Sequence, residues 1–207
     1  MTKRFPLDLH FNNRILVLTV LSTTLLMVDH YFTLTPIKEL DRVILYLLIP
    51  LGVILLGFRQ SPRDYGFQIG DWRAGLLITL ASLITLTPIL WLVVKYSPQM
   101  QSYYQTTLDF RLPLLTFLDL IGWEFIFRGF LLFGYYQAFG DDALWLQAVP
   151  FALAHLGKPS LETFTTLFGG FLFGLIAKRT KSFFYPFIIH FFIAFLVSLF
   201  SILQAFM

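Results

Sequence analysis

The chain has 207 residues, 57% of them hydrophobic and 13% charged, with a mean hydropathy of +0.74. Soluble domains carry about 25% charged residues, so this composition excludes an ordinary soluble domain and fits a polytopic membrane protein. A formal net charge of +3, spread over several connections, gives nucleic-acid binding no basis. The absence of cysteine excludes disulfides, thiolate metal sites, a Cys nucleophile and C-terminal prenylation of this chain itself.

The N-terminus, Met1-Thr-Lys-Arg-Phe-Pro6, is basic and precedes an apolar run. It lacks a small-residue cleavage site, so a retained first helix is expected rather than a signal peptide. Residues 15–32 form the first span, close to the roughly 20 residues that cross a bilayer, with Asp29 and His30 read as boundary residues at its end. A short polar connection (36–42) leads to a second span at 43–58. Pro50 lies inside that span, where it removes a backbone donor that neighbouring helices in a membrane can compensate.

Residues 59–73 are the clearest loop, with Arg59, Arg63 and Arg73 and an interfacial Trp72. The third span covers 74–94. The polar, aromatic stretch 95–111 is expected to lie on the membrane surface or to cover a site. The fourth and longest span, 112–139, ends at Gly140-Asp-Asp142. A short fifth segment, 143–155, is closed by Leu156-Gly-Lys-Pro-Ser160. The sixth, 161–177, offers Gly169, Gly170 and Gly174 for close helix contact. A basic loop, 178–181, precedes the seventh, 186–206, with His190 about one turn inside.

The expected fold is therefore all-α, a polytopic transmembrane bundle of about 7–8 helices. It forms a single integral membrane domain over 1–207, with a motif-bearing core at about 112–207. With the N-terminus inside, the inner segments hold Lys3, Arg4, Arg14, Arg59, Arg63, Arg73, Lys178, Arg179 and Lys181. The outer ones hold Lys38, Arg42, Lys95, Arg111 and Lys158. Nine against five favours a cytoplasmic N-terminus.

Glu124 and Arg128 stand within the apolar run 120–132. Each such charge costs at least about 2.5–3.5 kcal/mol at a bilayer centre. Their i, i+4 spacing puts both on one helical face, where they can pair. His155 and His190 are the other ionisable groups in apolar helical context, and such groups face a bundle interior or a water-filled cavity. Two His and one Glu suit a divalent metal, zinc first, with water in the open position; the metal ligands would be Glu124, His155 and His190. Without a metal, Glu124 could act as general base on water and a His could stabilise the oxyanion. No His-Glu-x-x-His string is present. From the residues alone an intramembrane hydrolase site and a structural ion pair both stay open, and a transporter is less favoured because no paired broken helices recur in corresponding halves.

Trp123-Glu-Phe-Ile-Phe-Arg128, then Phe151-Ala-Leu-Ala-His155, then His190 resemble, in order and approximate spacing, the three motifs of the CPBP family: CAAX prenyl endopeptidases of the Ras-converting type and bacteriocin-processing and immunity (Abi) proteins. Arg63-Asp-Tyr-Gly-Phe67 is similar to the loop preceding the core helices of bacterial members. The resemblance implies a multi-helix intramembrane endopeptidase, with bacterial inner-membrane placement carried over from those members, that acts on a membrane-associated peptide or protein in the lipid bilayer. A prenylated C-terminal peptide, a double-glycine-type bacteriocin leader or a membrane-anchored sorting tail are the substrate candidates.

It also implies catalytic roles for Glu124, His155 and His190, with Arg128 orienting Glu124. Two positions depart from the family pattern. Trp123 replaces the first of two paired Glu, and Ala194 stands where Asn or Asp is expected. These departures support a rival reading, a non-catalytic membrane binding or immunity protein of the same fold in which Glu124–Arg128 is structural. The string His155-Leu-Gly-Lys-Pro-Ser-Leu-Glu162 is similar to one in a bacterial branch with a single-Glu first motif. It makes Glu162 a further site candidate, against the simpler reading of a carboxylate at a positive helix end. Lys158 reads as its neighbour, and Asp119 as lying off the Glu124–Arg128 face.

Overall fold

The computed structural model describes residues 10–105 and 111–204. Lys3 and Arg4 of the orientation count, residues 205–206 of the seventh span and part of the 95–111 stretch lie outside the described residues.

The described residues form helices and connections without a strand. The helices are α1 (Asn13–Tyr31), α2 (Lys38–Gly57), α3 (Trp72–Tyr96), α4 (Pro98–Tyr104), α5 (112–139), α6 (Ala143–Leu153), α7 (Ser160–Thr180) and α8 (Phe184–Gln204). Five of them, α1, α2, α3, α7 and α8, are long and apolar enough to cross a membrane. Leu56, Leu77, Ile84, Phe164 and Phe168 each expose more than half of their surface, which suits faces turned to lipid rather than water.

Local chemistry accounts for the element ends. The Asn12 side chain accepts from the amides of Arg14 and Ile15 at the start of α1, and Asp71 caps α3 through the Ala74 amide. Each cap satisfies amides that the first turn leaves without intrahelical partners. In α2, Pro50 sits between two π-helical segments, Ile44–Leu48 and Val53–Gly57. A proline lacks the amide the ladder needs, and the wider i→i+5 bonding on either side lets the helix continue past it.

Helix α5 runs through the centre, packed by α2 on one side and α8 on another, while α6 and α7 form an antiparallel hairpin beside it. Gly122 lets α2 come close to α5: a Cβ there would stand 2.4 Å from the Arg42 carbonyl oxygen. Gly170 and Gly174 press α7 onto α6, against Ala148, Phe151, Leu144 and Gln147. Gly169 differs, since a Cβ there would meet nothing within 4 Å; it faces a cavity. At the basic end of the bundle the 59–71 loop is tied to the α7–α8 turn, with Asp71 N donating to Thr180 O (2.8 Å) and Phe183 N to Gly66 O (3.1 Å).

Asp29 does lie at the end of α1, but it is buried and bridges to Lys38 (2.9 Å) and Arg42 (3.3 Å) of α2. Helix-end placement therefore goes with a structural ion pair, and His30 alone is exposed.

Candidate active site

The stretch Phe125–Leu131 of α5 is π-helical, a local widening often found at functional sites. It begins at Glu124 and contains Arg128, and both side chains are fully buried. Arg128 Nη1 donates to Glu124 Oε1 at 3.2 Å. The guanidinium lies over the Phe151 ring, 3.7 Å from its centroid, and 5.1 Å from that of Phe173. Aromatic faces thus supply part of what water would give the cation outside.

His190, on α8, points its Nδ1 at the same Glu124 oxygen, 2.6 Å away. In the neutral imidazole, donation from Nδ1 to the accepting carboxylate leaves the lone pair on Nε2. His155 lies in the turn after α6, not in the helix. Its Nδ1 is 2.7 Å from Phe151 O, which also only accepts, so its Nε2 is likewise left with a lone pair. The two imidazoles lie nearly parallel with centroids 6.4 Å apart. Phe151 touches both rings.

A cavity of about 790 Å³ opens beside this group between α3, α7 and α8. Its wall includes His155, His190, Glu162, Lys158, Tyr104 and Asp119. Glu124 and Arg128 are not in the wall; they stand behind His190. Glu124 Oε2 and Arg128 Nε and Nη2 are buried without a hydrogen-bond partner among the described residues.

Of the residues singled out from sequence, Glu124, Arg128 and His190 are therefore in direct contact, and His155 joins them across the cavity edge. Glu162 does not bond His155. It pairs with Lys158 (2.8 Å) and accepts from the Tyr104 hydroxyl (2.6 Å), at the end of the same cavity. Burial and the Glu162 carboxylate push the Tyr104 phenol above its ordinary value. Gly157, at φ +94°, gives the chain its reversal after His155. Tyr104 and Lys158 have cavity positions that sequence reasoning did not assign; the aromatic, polar character of 95–111 was the only signal toward the first.

The two motif departures have distinct surroundings. Trp123 is packed among Tyr46, Phe127, His155 and the Arg42 guanidinium, at 5.3–5.9 Å. Ala194 lies in the cavity wall one turn beyond His190.

The zinc expectation can be compared with these contacts. Glu124 Oε1 is shared by Arg128 and His190, and Glu124 is not in the cavity wall that both imidazoles line. Among the described residues no three His, Asp or Glu side chains are grouped as a metal ion requires. As they stand, Glu124, His155 and His190 do not fit a three-ligand site.

Residues 105–196 match the family described as Rce1-like, type II CAAX prenyl endopeptidase. No curated protein and no solved structure matches the chain. The matched segment contains Glu124, Arg128, His155, Glu162 and His190. The chain thus carries, in an all-helical integral membrane protein, a domain over residues 105–196 similar to the Rce1-like type II CAAX prenyl endopeptidases, consistent with the CPBP family.

Proposed function

We propose that this protein is an intramembrane endopeptidase that hydrolyses a peptide bond of a membrane-associated substrate, with His190 as the base and Glu124 behind it. The observation that carries the reading is the 2.6 Å contact between Glu124 Oε1 and His190 Nδ1, made by a fully buried carboxylate whose imidazole partner lines the cavity. The arrangement follows the logic of a carboxylate-backed histidine: the carboxylate fixes the tautomer and stabilises the imidazolium that forms.

In this reading one water bridges the Nε2 atoms of the two imidazoles, whose ring centroids are 6.4 Å apart and which both line the cavity. His155 Nε2 accepts one hydrogen bond from that water and positions it. His190 Nε2 takes the other proton as the oxygen adds to the carbonyl carbon. The proton then passes to the leaving nitrogen as the C–N bond breaks. Glu124 acts through His190 instead of meeting the water itself, because its own side chain does not reach the cavity. Arg128 pairs with Glu124 and holds it in place.

The matched family's description names prenylated CAAX termini, so a farnesylated CAAX peptide in detergent–lipid micelles is the first probe. His155→Ala is expected to lower kcat by about 10²–10⁴-fold, the range general acid–base groups contribute. The ring is buried and bonded to Phe151 O, so thermal unfolding is measured alongside, and the kcat loss is read at a temperature where the variant is still folded. Unchanged cleavage by His155→Ala would sink the assignment. The burial of Glu124 and Arg128 also favours a second reading, a non-catalytic protein in which the pair is structural; under it the parent chain leaves the probe intact.

A further inference from the structure

Helix α5 carries three ionisable side chains in its apolar stretch, and only one of them reaches the cavity. Glu124 and Arg128 are fully buried behind His190. Asp119 is about one quarter exposed and forms part of the cavity wall together with His155 and His190. It lies four residues before Trp123, so the two share a face, and that face is turned to His155: the Trp123 and His155 rings are 5.9 Å apart. The sequence placed Asp119 away from the Glu124–Arg128 face, and this is so; the face it occupies is the one that borders the cavity.

Arg42 of α2 holds Asp119 by an ion pair and also bonds Asp29. Its guanidinium lies over the Trp123 ring at 5.3 Å. One cation is thus shared by two carboxylates, and its position also covers residue 123. Asp29 has Lys38 as a second partner at 2.9 Å. The arrangement gives the Asp119 carboxylate a cationic partner at the edge of an apolar cavity, where a charge without one would be costly.

We propose that Asp119 is the second carboxylate of the site, touching the substrate from the cavity side: it accepts a hydrogen bond from the scissile N–H and stabilises the positive charge that grows on the nitrogen as His190 returns the proton and the C–N bond breaks. This rests on the endopeptidase reading above. Asp119 lies one helical turn before position 123, and Arg42 reaches both positions.

The test compares four variants on the farnesylated CAAX peptide in detergent–lipid micelles. Asp119→Asn is expected to lower kcat on the order of 10²-fold, the scale of removing one charge-stabilising group, and Asp119→Glu to retain most activity. Adding Trp123→Glu to Asp119→Asn should recover at least about tenfold, because the new carboxylate lies one turn along the same helical face, beside the same Arg42; a residue that only holds Arg42 in place for folding would show its loss in thermal unfolding, not in this rescue. Cleavage by Asp119→Asn at the parent rate overturns the inference and leaves the endopeptidase reading standing. So does Trp123→Glu alone converting an inert parent into an active enzyme, since Asp119 would then not be serving.

If parent and Trp123→Glu are both inert, the endopeptidase reading fails on this probe, and Asp119 is decided separately. The chain has no cysteine, so Asp119→Cys and Ser198→Cys, the latter in the cavity wall, can each be treated with aminoethyl methanethiosulfonate. Reaction of both supports the cavity-side placement; reaction of Ser198→Cys alone overturns it.

Discussion

Among the described residues two ion pairs have i, i+4 spacing, and they have little else in common. Glu124–Arg128 is a 3.2 Å pair with neither side chain exposed. Lys158–Glu162 is shorter, at 2.8 Å, but its side chains are 31% and 19% exposed. The first is embedded among Phe127, Phe151 and Phe173. The second bridges the turn after α6 to the start of α7 and is joined by Tyr104 of α4. Identical spacing therefore says that two groups can meet, and burial decides what the meeting is worth. A dry pair must have each partner or strand a charge, whereas a solvated pair contributes about 0–1 kcal/mol.

The largest expected effect breaks the buried pair. Glu124→Ala leaves Arg128 charged and without its carboxylate, and should destabilise the detergent-solubilised protein by about 3–5 kcal/mol, read by thermal unfolding. Replacing both residues together, Glu124→Met with Arg128→Met, should be much less damaging to stability, since no charge is left stranded, while cleavage is still lost. A double variant as unstable as the single one would show that the pair is not the reason.

A smaller effect probes the approach that sets α5, and hence the buried pair, against α2. Gly122→Ala puts a methyl 2.4 Å from the Arg42 carbonyl oxygen, where backbone must give way. Overpacking of this kind costs about 1–3 kcal/mol, and it should lower the unfolding temperature without touching the Lys158–Glu162 end.

Lys158→Ala, at the wet pair, should change stability by no more than about 1 kcal/mol, and the change should shrink further in high salt. An effect as large as that of Glu124→Ala would collapse the distinction between the two pairs.

The smallest effect concerns Tyr104. Its phenol is pushed above the ordinary value of about 10 by burial and by Glu162. An acid whose folded-state value is raised contributes fully below its unfolded value, and that contribution is lost as pH rises beyond it. Unfolding temperature should thus decline above about pH 10, and Tyr104→Phe should flatten part of that decline. The same slope in Tyr104→Phe and in the parent would remove Tyr104 as its source.

Composition and the lengths of the apolar runs determined the helical, membrane-embedded character of this protein and nearly all helix positions. The reason is general: in a bilayer the backbone must satisfy itself internally, so long apolar runs become helices whatever their neighbours do. The i, i+4 pairing of Glu124 with Arg128 was legible for the same local reason. Tertiary structure decided which charges share a space. His190 is 66 residues from Glu124 and meets it only because α8 packs against α5. Glu162 follows His155 closely in sequence, yet its bonds go to Lys158 and to Tyr104, 58 residues away. Asp119 reaches the cavity and Glu124 does not, although both lie on one helix, because contact with water is set by what stands beside a helical face. No local pattern encodes that.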